Sequence, residues 1–157
     1  TTTIETDPLG LSGVEDKVSL ALDLVDVRLM LEPNIAEMAA RKAGPKEKAE
    51  LDRLCSCVEE KISKGENYIQ EDIDFHTYIA ECSGNMVVEQ IIPIIDTAVM
   101  MFVNVTHKKL INETVITHRK IVEYITENDP IGAKTAMIMH LTFNRDSIKE
   151  ILKKRKN

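Results

Sequence analysis

The sequence predicts an all-α fold, an antiparallel bundle of about six or seven helices. Apolar residues recur at spacings of three and four through most of the chain, and no segment shows the alternating pattern of a β-strand. Apolar residues make up 43% and aromatic residues only 4%, with no Trp. The core is therefore mostly aliphatic, a composition that favours helices packed on helices. At 157 residues the chain fits one domain with a substantial core.

Glycine, proline and capping residues predict where the helices begin and end. Gly44-Pro45 ends one helix and suits the start of the next, 83–85 breaks the chain again, and Asp129-Pro130 pairs a capping carboxylate with proline at the first helical position. Pro33 either kinks one long helix or begins a second one. The predicted helices span about 15–31, 33–43, 46–63, 66–82, 86–107, 111–127 and 130–153.

Residues 1–14 are polar and contain glycine and proline, so we expect a linker or disordered arm, followed by a helical domain over 15–157. The formal charge is −6, and basic residues form a block only in the last few positions, 153–156. An acidic domain repels phosphate backbones, which predicts weak nucleic-acid binding by this chain alone. Because the sequence begins at Thr1 rather than Met, we also expect it to be part of a longer protein.

The cysteines and the hydropathy pattern indicate a cytoplasmic protein. Three cysteines make an odd count without a disulfide framework, which suits a reducing compartment. Cys55 and Cys57 lie two apart on a helix and point about 200° from each other, so inert packing thiols are expected rather than shared metal ligands. The longest apolar run, 98–103, is far shorter than the roughly 20 residues of a membrane span, and no leader sequence is recognisable.

Four titratable residues occupy positions where a helix should be apolar. Spacings of three and four place each of them on the same face as core residues. They are Asp72 and His76 between Ile69 and Ile79, His118 between Val115 and Val122, and His140 between Met137 and Ile148. Burial of such groups without partners costs several kcal/mol. A compensating partner is therefore expected.

One compensating partner is a metal ion. Asp72 and His76 lie one helical turn apart, the spacing by which a helix presents two ligands, and His118 and His140 come from two other helices. One carboxylate and three imidazoles suit Zn²⁺ or Ni²⁺ and are a poor set for Ca²⁺ or Mg²⁺. The alternative is a set of core histidines, each hydrogen-bonded to a neighbour. The fourth histidine, His107, is expected at a solvated helix end.

Arg28 also interrupts an apolar stripe, on the first predicted helix. It either forms an ion pair with Glu32 one turn away, or faces a pocket where its planar guanidinium holds a ligand carboxylate with two hydrogen bonds. Asn144, one turn beyond His140 on the inward face of the last helix, is the second candidate for contact with an effector.

Three motifs resemble the FCD effector-binding domain of GntR transcription regulators, in the fatty-acid-responsive subfamily. The likeness covers about 15–153, and Asp26, where the family usually has Glu, is a mild departure. The motifs are Asp26-x-Arg28-x-x-Leu31-Glu32, Asp72-x-x-Phe75-His76-x-x-Ile79 followed by Ser83-Gly84-Asn85, and His118-x-x-Ile121 followed by Asp129, Ala133, Ala136 and Met139-His140-Leu141.

The resemblance implies a function for the polar residues. Asp72, His76, His118 and His140 occupy the ligand positions of the family's metal-containing branch, and Arg28 matches an arginine that faces the effector pocket. A small organic acid would complete the coordination of the metal. The family's N-terminal winged helix-turn-helix is not found in residues 1–16, so we expect the sensor part of a dimeric regulator.

The leading functional hypothesis is therefore a non-enzymatic sensor of a small carboxylate, whose occupancy modulates DNA binding by another domain. A metal-dependent hydrolase or lyase is the runner-up, since three histidines and an open coordination position can activate water. The sequence places no titratable general base beside the site, which weakens this alternative. A purely structural metal is the third possibility.

Overall fold

A computed structural model describes the backbone of residues 7–102 and 111–157 and the side chains of 7–99 and 111–157. The described residues form six helices and no strand, which confirms the predicted fold class. The predicted end of the fifth helix, His107 and the first six residues of the expected linker lie outside the described residues. The helices are α1 Lys17–Lys42, α2 Pro45–Ser63, α3 Ile69–Cys82, α4 Met86–Phe102, α5 Ile111–Thr126 and α6 Pro130–Arg155.

The helix α1 runs through Pro33 without ending, so the predicted division into helices at 15–31 and 33–43 is wrong. Proline inside a helix removes one hydrogen bond and costs about 3 kcal/mol. Packing on both sides of Pro33 outweighs this cost, because Val25, Ile35 and Ala36 are buried in the core. The decision between one helix and two is therefore made by tertiary contacts.

The other boundaries follow local chemistry. The Asp16 carboxylate accepts a hydrogen bond from the amide of Ser19 at the start of α1. The Asp129 carboxylate caps α6 by accepting from the amide of Gly132 at 2.9 Å, as its pairing with Pro130 predicts. Helix α3 begins at Ile69, three residues later than predicted from the sequence.

The buried side chains form two apolar clusters that share α1. The first half of α1 packs with α4 and the far part of α6, around Leu24, Ile95 and Ile148. The second half packs with α2, α3, α5 and the first part of α6. Arg28 and Glu32 of α1 lie between the two sets, which places their charges where the clusters meet. No helix in the described ranges has both the length and the hydropathy that crossing a membrane requires.

The turn between α5 and α6 brings these two helices into close approach. Asn128 adopts a left-handed conformation (φ 52°), and its amide donates to the carbonyl oxygens of Ala40 and Ala43 at 2.9 and 3.2 Å. A Cβ atom at Gly132 would lie 2.3 Å from Cδ1 of Tyr124. The absence of a side chain at Gly132 therefore permits the spacing between α5 and α6, the helices that carry His118 and His140.

The three cysteines are free thiols. Cys55 and Cys82 are buried, and burial raises the pKa of each to about 12. Both thiols are therefore protonated at neutral pH and unreactive. The burial of Cys55 supports the packing role expected of it, whereas Cys57 is only half-buried.

Candidate metal centre and the adjoining carboxylates

Helices α3, α5 and α6 bring His76, His118 and His140 together in the interior. One ring nitrogen of each histidine lies within 4.8 Å of the corresponding nitrogens of the other two. The ring centroids are 4.5–5.3 Å apart, and all three side chains are buried. Three helices that are separate in sequence thus direct imidazoles to one point.

Asp72 lies beside two of these histidines. Its Oδ1 atom is 3.1 Å from Nε2 of His118 and 3.7 Å from Nε2 of His76. Although the atoms are close, none of the three has a hydrogen-bond partner, by geometry, among the described residues. Two ligands of a tetrahedral zinc ion, each 2.0–2.1 Å from the metal, lie about 3.3 Å apart. The orphaned atoms therefore fit the ligand set of a shared cation better than a set of hydrogen-bonded core residues.

Neighbouring acceptors define the tautomers of two of the histidines. Nδ1 of His76 lies 2.7 Å from Oε1 of Glu32, closer than Nη2 of Arg28 at 3.4 Å. Since a carboxylate only accepts, Nδ1–H donates to Glu32, and in the neutral ring the lone pair resides on Nε2. A carboxylate behind a metal-binding imidazole is a common supporting contact at metal sites.

His140 is oriented in the same way by a hydroxyl group. Thr117 Oγ1 donates its proton to the carbonyl of Glu113 at 2.6 Å. The Thr117 oxygen therefore accepts from Nδ1–H of His140 at 2.9 Å, which again leaves the lone pair on Nε2. Thr117 and Glu32 were not assigned to the metal site from the sequence, because neither contact follows from periodicity.

The protonation states required for metal binding are favoured at three of the four residues before any ion binds. Burial lowers the pKa of His118 below its ordinary value, and burial together with the charges of the neighbouring histidines lowers that of His140 further. Burial would raise the pKa of Asp72, but His118 and His76 outweigh it and lower it. A carboxylate and neutral imidazoles are the forms that bind a metal. At His76, burial would lower the pKa, but the charge of Glu32 outweighs it and raises it, so this ring has to lose a proton when a metal binds.

Arg28 is buried and paired within its own helix. Its Nε atom donates to Oε2 of Glu32 at 2.5 Å, the ion pair that the sequence analysis left open as one alternative. The same Nε atom lies 2.9 Å from Oδ1 of Asp96 on α4. Burial alone would lower the pKa of Arg28, but the charges of Asp96 and Glu32 outweigh it and raise the pKa. Arg28 is thus a permanent cation held between two carboxylates.

Asp96 is a buried charge, among the described residues, that the sequence did not indicate. It is 1% exposed, and burial raises its pKa to about 7. One of its oxygens lies within 4.8 Å of ligand atoms of Glu32 and His76, so a carboxylate cluster adjoins the three histidines through His76. The available signal was that Asp96 is the single charged residue between Ile91 and Phe102.

Asn144 lies one turn beyond His140 on α6 and is half-buried. Its contact with an effector stays a prediction.

The structure brings together all four predicted metal ligands. It also places Arg28 next to one of them, through its contacts with Glu32 and His76.

The similarity of the chain to known proteins agrees with the resemblance to FCD domains that the motifs indicated. The FCD domain family matches residues 23–143. The chain is 29% identical over 155 residues to an uncharacterized HTH-type transcriptional regulator, YcbG, of Bacillus subtilis, covering 90% of this chain and 62% of that protein. It is 26% identical over 141 residues to a putative L-lactate dehydrogenase operon regulatory protein of Escherichia coli, covering 85% of this chain and 54% of that protein.

The likeness extends to the three-dimensional fold. A solved structure described as Streptococcus agalactiae GntR has a TM-score of 0.83 and 31% identity, over 90% of this chain and 65% of that chain. The chain thus spans between half and two thirds of the length of these relatives. Because the family matches most of its length and its fold resembles that of the solved GntR structure, the chain belongs to the FCD domain family.

Proposed function

We propose that this chain is the effector-sensing domain of a transcription regulator, and that a small organic acid bound at a metal alters DNA binding by another domain. The observation that carries the proposal is the convergence of His76, His118 and His140, with Asp72 beside two of them and orphaned ligand atoms on Asp72, His76 and His118. The names of the relatives support a regulatory role. Their additional length is where a DNA-reading domain would lie.

The metal would be held by the Asp72 carboxylate and the imidazoles of His76, His118 and His140. This nitrogen and oxygen ligand set suits Zn²⁺, with Ni²⁺ as the second candidate. When bound, such an ion acts as a Lewis acid that attracts a carboxylate ligand. In the regulator we propose, that carboxylate belongs to the effector.

The charge balance of the buried cluster favours a divalent cation. Asp72, Glu32 and Asp96 are three carboxylates, Arg28 is one guanidinium, and metal-bound histidines are neutral. Without a metal, the raised pKa values of Asp96 and His76 mean that protons offset part of the negative charge. With all three carboxylates ionised, the group carries two unbalanced negative charges, and unbalanced charge in the interior is strongly unfavourable. One divalent ion would neutralise the group.

Arg28 would be the second anchor of the effector. Because Glu32 and Asp96 already flank its guanidinium, an incoming carboxylate would share it with them rather than find it free. Effector binding would then perturb contacts among α1, α3 and α4. A homodimer is also part of the proposal, since regulators of this kind read half-sites related by two-fold symmetry.

An enzymatic function has one new argument in its favour. Asp96, with a pKa raised to about 7, is a titratable group near the histidines that the sequence analysis did not find. The relatives, however, are named as regulators of transcription. A sensor therefore stays the better supported function.

The test is metal reconstitution followed by effector screening. After treatment with a chelator, titration with Zn²⁺ should load about one equivalent per chain, measured by elemental analysis. Small hydroxy- and dicarboxylic acids should then raise the melting temperature of the loaded protein and leave that of the chelated protein unchanged. A protein that binds no metal, or that is stabilised equally by an acid in both forms, would contradict the proposal.

A further inference from the structure

The outer side of α6 carries an uncharged stripe. Spacings of four and three place its members on one face of the helix. They are Ile131, Thr135, Ile138 and Thr142. The hydroxyl groups of the two threonines donate to carbonyl oxygens of their own helix, those of Ile131 and Ile138, at 2.8 and 2.6 Å. Covering the stripe therefore leaves none of its hydroxyl hydrogens without an acceptor.

Exposed apolar side chains extend this stripe onto α5. Thr117 of α5 is hydrogen-bonded to His140 of α6. Ile116 and Met139, the residues directly before these two, therefore lie at the same level of the bundle. Both side chains are exposed, by 61% and 51%. The apolar surface thus continues from α6 to its neighbour.

The surface also reaches α1, on the other side of α6. Two ion pairs connect these helices: Lys134 lies 3.5 Å from Glu37, and Arg145 lies 3.1 Å from Asp26. Met30, which is 62% exposed, lies between the two pairs along α1. We call the uncharged stripe, together with Met30, Ile116 and Met139, the α6 face. An exposed apolar surface with a polar rim is typical of a protein interaction site.

The ion pairs that border the α6 face are balanced in charge. Besides the two pairs between α1 and α6, Lys120 pairs with Glu123 on α5 at 2.9 Å. The six charges sum to zero, whereas the chain as a whole carries −6. Two copies of an acidic chain repel each other, and they can approach most closely where neither carries a net charge. A second copy therefore fits the α6 face better than a strongly charged partner such as a nucleic acid.

The α6 face is large enough for a dimer. Residues 131–145 of α6 form a segment about 20 Å long, because each residue adds roughly 1.5 Å. Three neighbouring helices, with axes roughly 8–10 Å apart, have a width of about 25 Å. The face thus covers about 500 Å² on each copy and about 1,000 Å² on two, which is the size expected of a specific contact.

We propose that two copies of this chain associate through the α6 face, with the uncharged stripe of α6 at the centre of the contact. The inference rests on the homodimer of the proposed function, and it adds the surface by which that dimer forms. The buried side of α6 carries His140, so the contact surface and the candidate metal centre share one helix.

The experiment measures the self-association of the full chain by sedimentation velocity over a range of micromolar concentrations. The unsubstituted chain should be a dimer. Ile138→Glu should raise the dissociation constant of the dimer about 100-fold, because two-fold symmetry introduces two charges into each contact. Ile131→Glu should act in the same direction. It decides the matter if Ile138→Glu fails to fold, since Ile131 is 75% exposed and contributes little to the core.

Val87→Glu is the matched control. Val87 is 63% exposed and lies on α4, outside the α6 face, so this variant should keep the dissociation constant of the unsubstituted chain. Far-ultraviolet circular dichroism should show the same helix content in all variants.

A mixture of opposite charges tests the centre of the contact. In an equimolar mixture of Ile138→Glu and Ile138→Lys, a glutamate of one copy can face a lysine of the other. The mixture should therefore associate more tightly than either variant alone. If the mixture associates no better, the stripe of α6 is not at the centre and the proposal is wrong.

The remaining outcomes separate this surface from the proposed function. If the chain is a dimer that Ile131→Glu and Ile138→Glu weaken no more than Val87→Glu does, the α6 face is wrong and the homodimer stands. If the unsubstituted chain is a monomer throughout, both the surface and the homodimer are wrong, and the α6 face is left for a different partner. The zinc and acid titrations then decide the sensor function independently.

Discussion

Oε1 of Glu32 lies 2.7 Å from Nδ1 of His76, so that a carboxylate on α1 orients an imidazole on α3. The other carboxylate oxygen of Glu32 accepts from Nε of Arg28. A single side chain thus connects the proposed metal ligands with the proposed effector anchor. This connection gives Glu32 a positioning role that an ordinary ion pair between neighbouring turns would not have.

Glu32→Gln should weaken metal binding without removing a ligand. The amide keeps the shape but accepts less strongly from His76, and losing such a supporting contact lowers metal affinity by about 10- to 100-fold. Competition with a chromophoric chelator measures the affinity. Glu37→Gln, a substitution on the same helix at a residue paired with Arg41 and Lys134, is the control and should leave the affinity unchanged. Equal affinities in the two variants would contradict the positioning role.

His140→Ala should remove most of the bound metal, because it deletes one of the four proposed ligands. Elemental analysis of the purified variant measures the loss. His107→Ala is the matched control, since the sequence places His107 away from the apolar stripes, and it should retain the full metal content. Loss of metal in both variants, or in neither, would count against the proposed ligand set.

The convergence of the four proposed metal ligands could be predicted from the sequence, because each of these polar residues interrupts an apolar stripe and the periodicity makes this visible. The helix boundaries at Gly44-Pro45 and Asp129-Pro130 were equally predictable, since capping is local chemistry. The continuation of α1 through Pro33 was not, because packing on distant helices decides it. Asp96 was missed for a related reason. A single charge in an apolar helix does not indicate its partners, and only the structure shows that Arg28 and Glu32 lie beside it.

In the absence of metal, acid should destabilise the protein through His118 and His140. Burial lowers both folded pKa values below the ordinary 6.5. Below pH 6.5 the unfolded chain therefore binds protons that the folded chain does not, and this stability is lost as the pH falls. The pKa of His76 is raised instead, so its contribution is fully present below pH 6.5 and does not change there.

Asp96 should oppose this trend. Its pKa of about 7, against an ordinary value of 3.8, means that the folded state takes up one proton as the pH falls through 7. Below pH 6.5 the unfolded state binds up to two more protons, at His118 and His140, and the folded state binds one more, at Asp96. The unfolded state therefore binds about one proton more in total. The free energy of unfolding should fall by roughly 1.4 kcal/mol per pH unit at most. Urea unfolding between pH 6.5 and 5.5 measures it. Asp96→Asn should steepen the slope, and an unchanged slope would mean that Asp96 does not titrate in this range.

Arg28→Ala should destabilise the protein itself, by about 3–5 kcal/mol, because it leaves Glu32 and Asp96 buried without their cation. Chemical denaturation at pH 7 measures this loss. Loss of effector binding in that variant would therefore not by itself assign Arg28 to the effector. Arg28→Lys keeps the charge and removes the planar fork, so it should fold and weaken binding of the acid only partly. Unchanged binding in Arg28→Lys would indicate that Arg28 serves its two carboxylates alone.

Gly132→Ala should separate α5 from α6 and weaken the metal site from a distance. The added Cβ would lie 2.3 Å from Cδ1 and 2.6 Å from Cγ of Tyr124, too close for any side chain, so the ring or the helix has to move. Tyr124 is held on α5, which carries His118, while Gly132 lies two turns before His140 on α6. Overpacking of this kind typically costs 1–3 kcal/mol, in addition to any shift of the two imidazoles. We expect a lower midpoint of unfolding in urea and a lower zinc affinity.

The double variant Gly132→Ala/Tyr124→Ala should recover most of the zinc affinity, since it removes the ring that the new methyl group meets. If zinc affinity stays low in the double variant, the close approach of Gly132 to Tyr124 is not what sets the distance between His118 and His140.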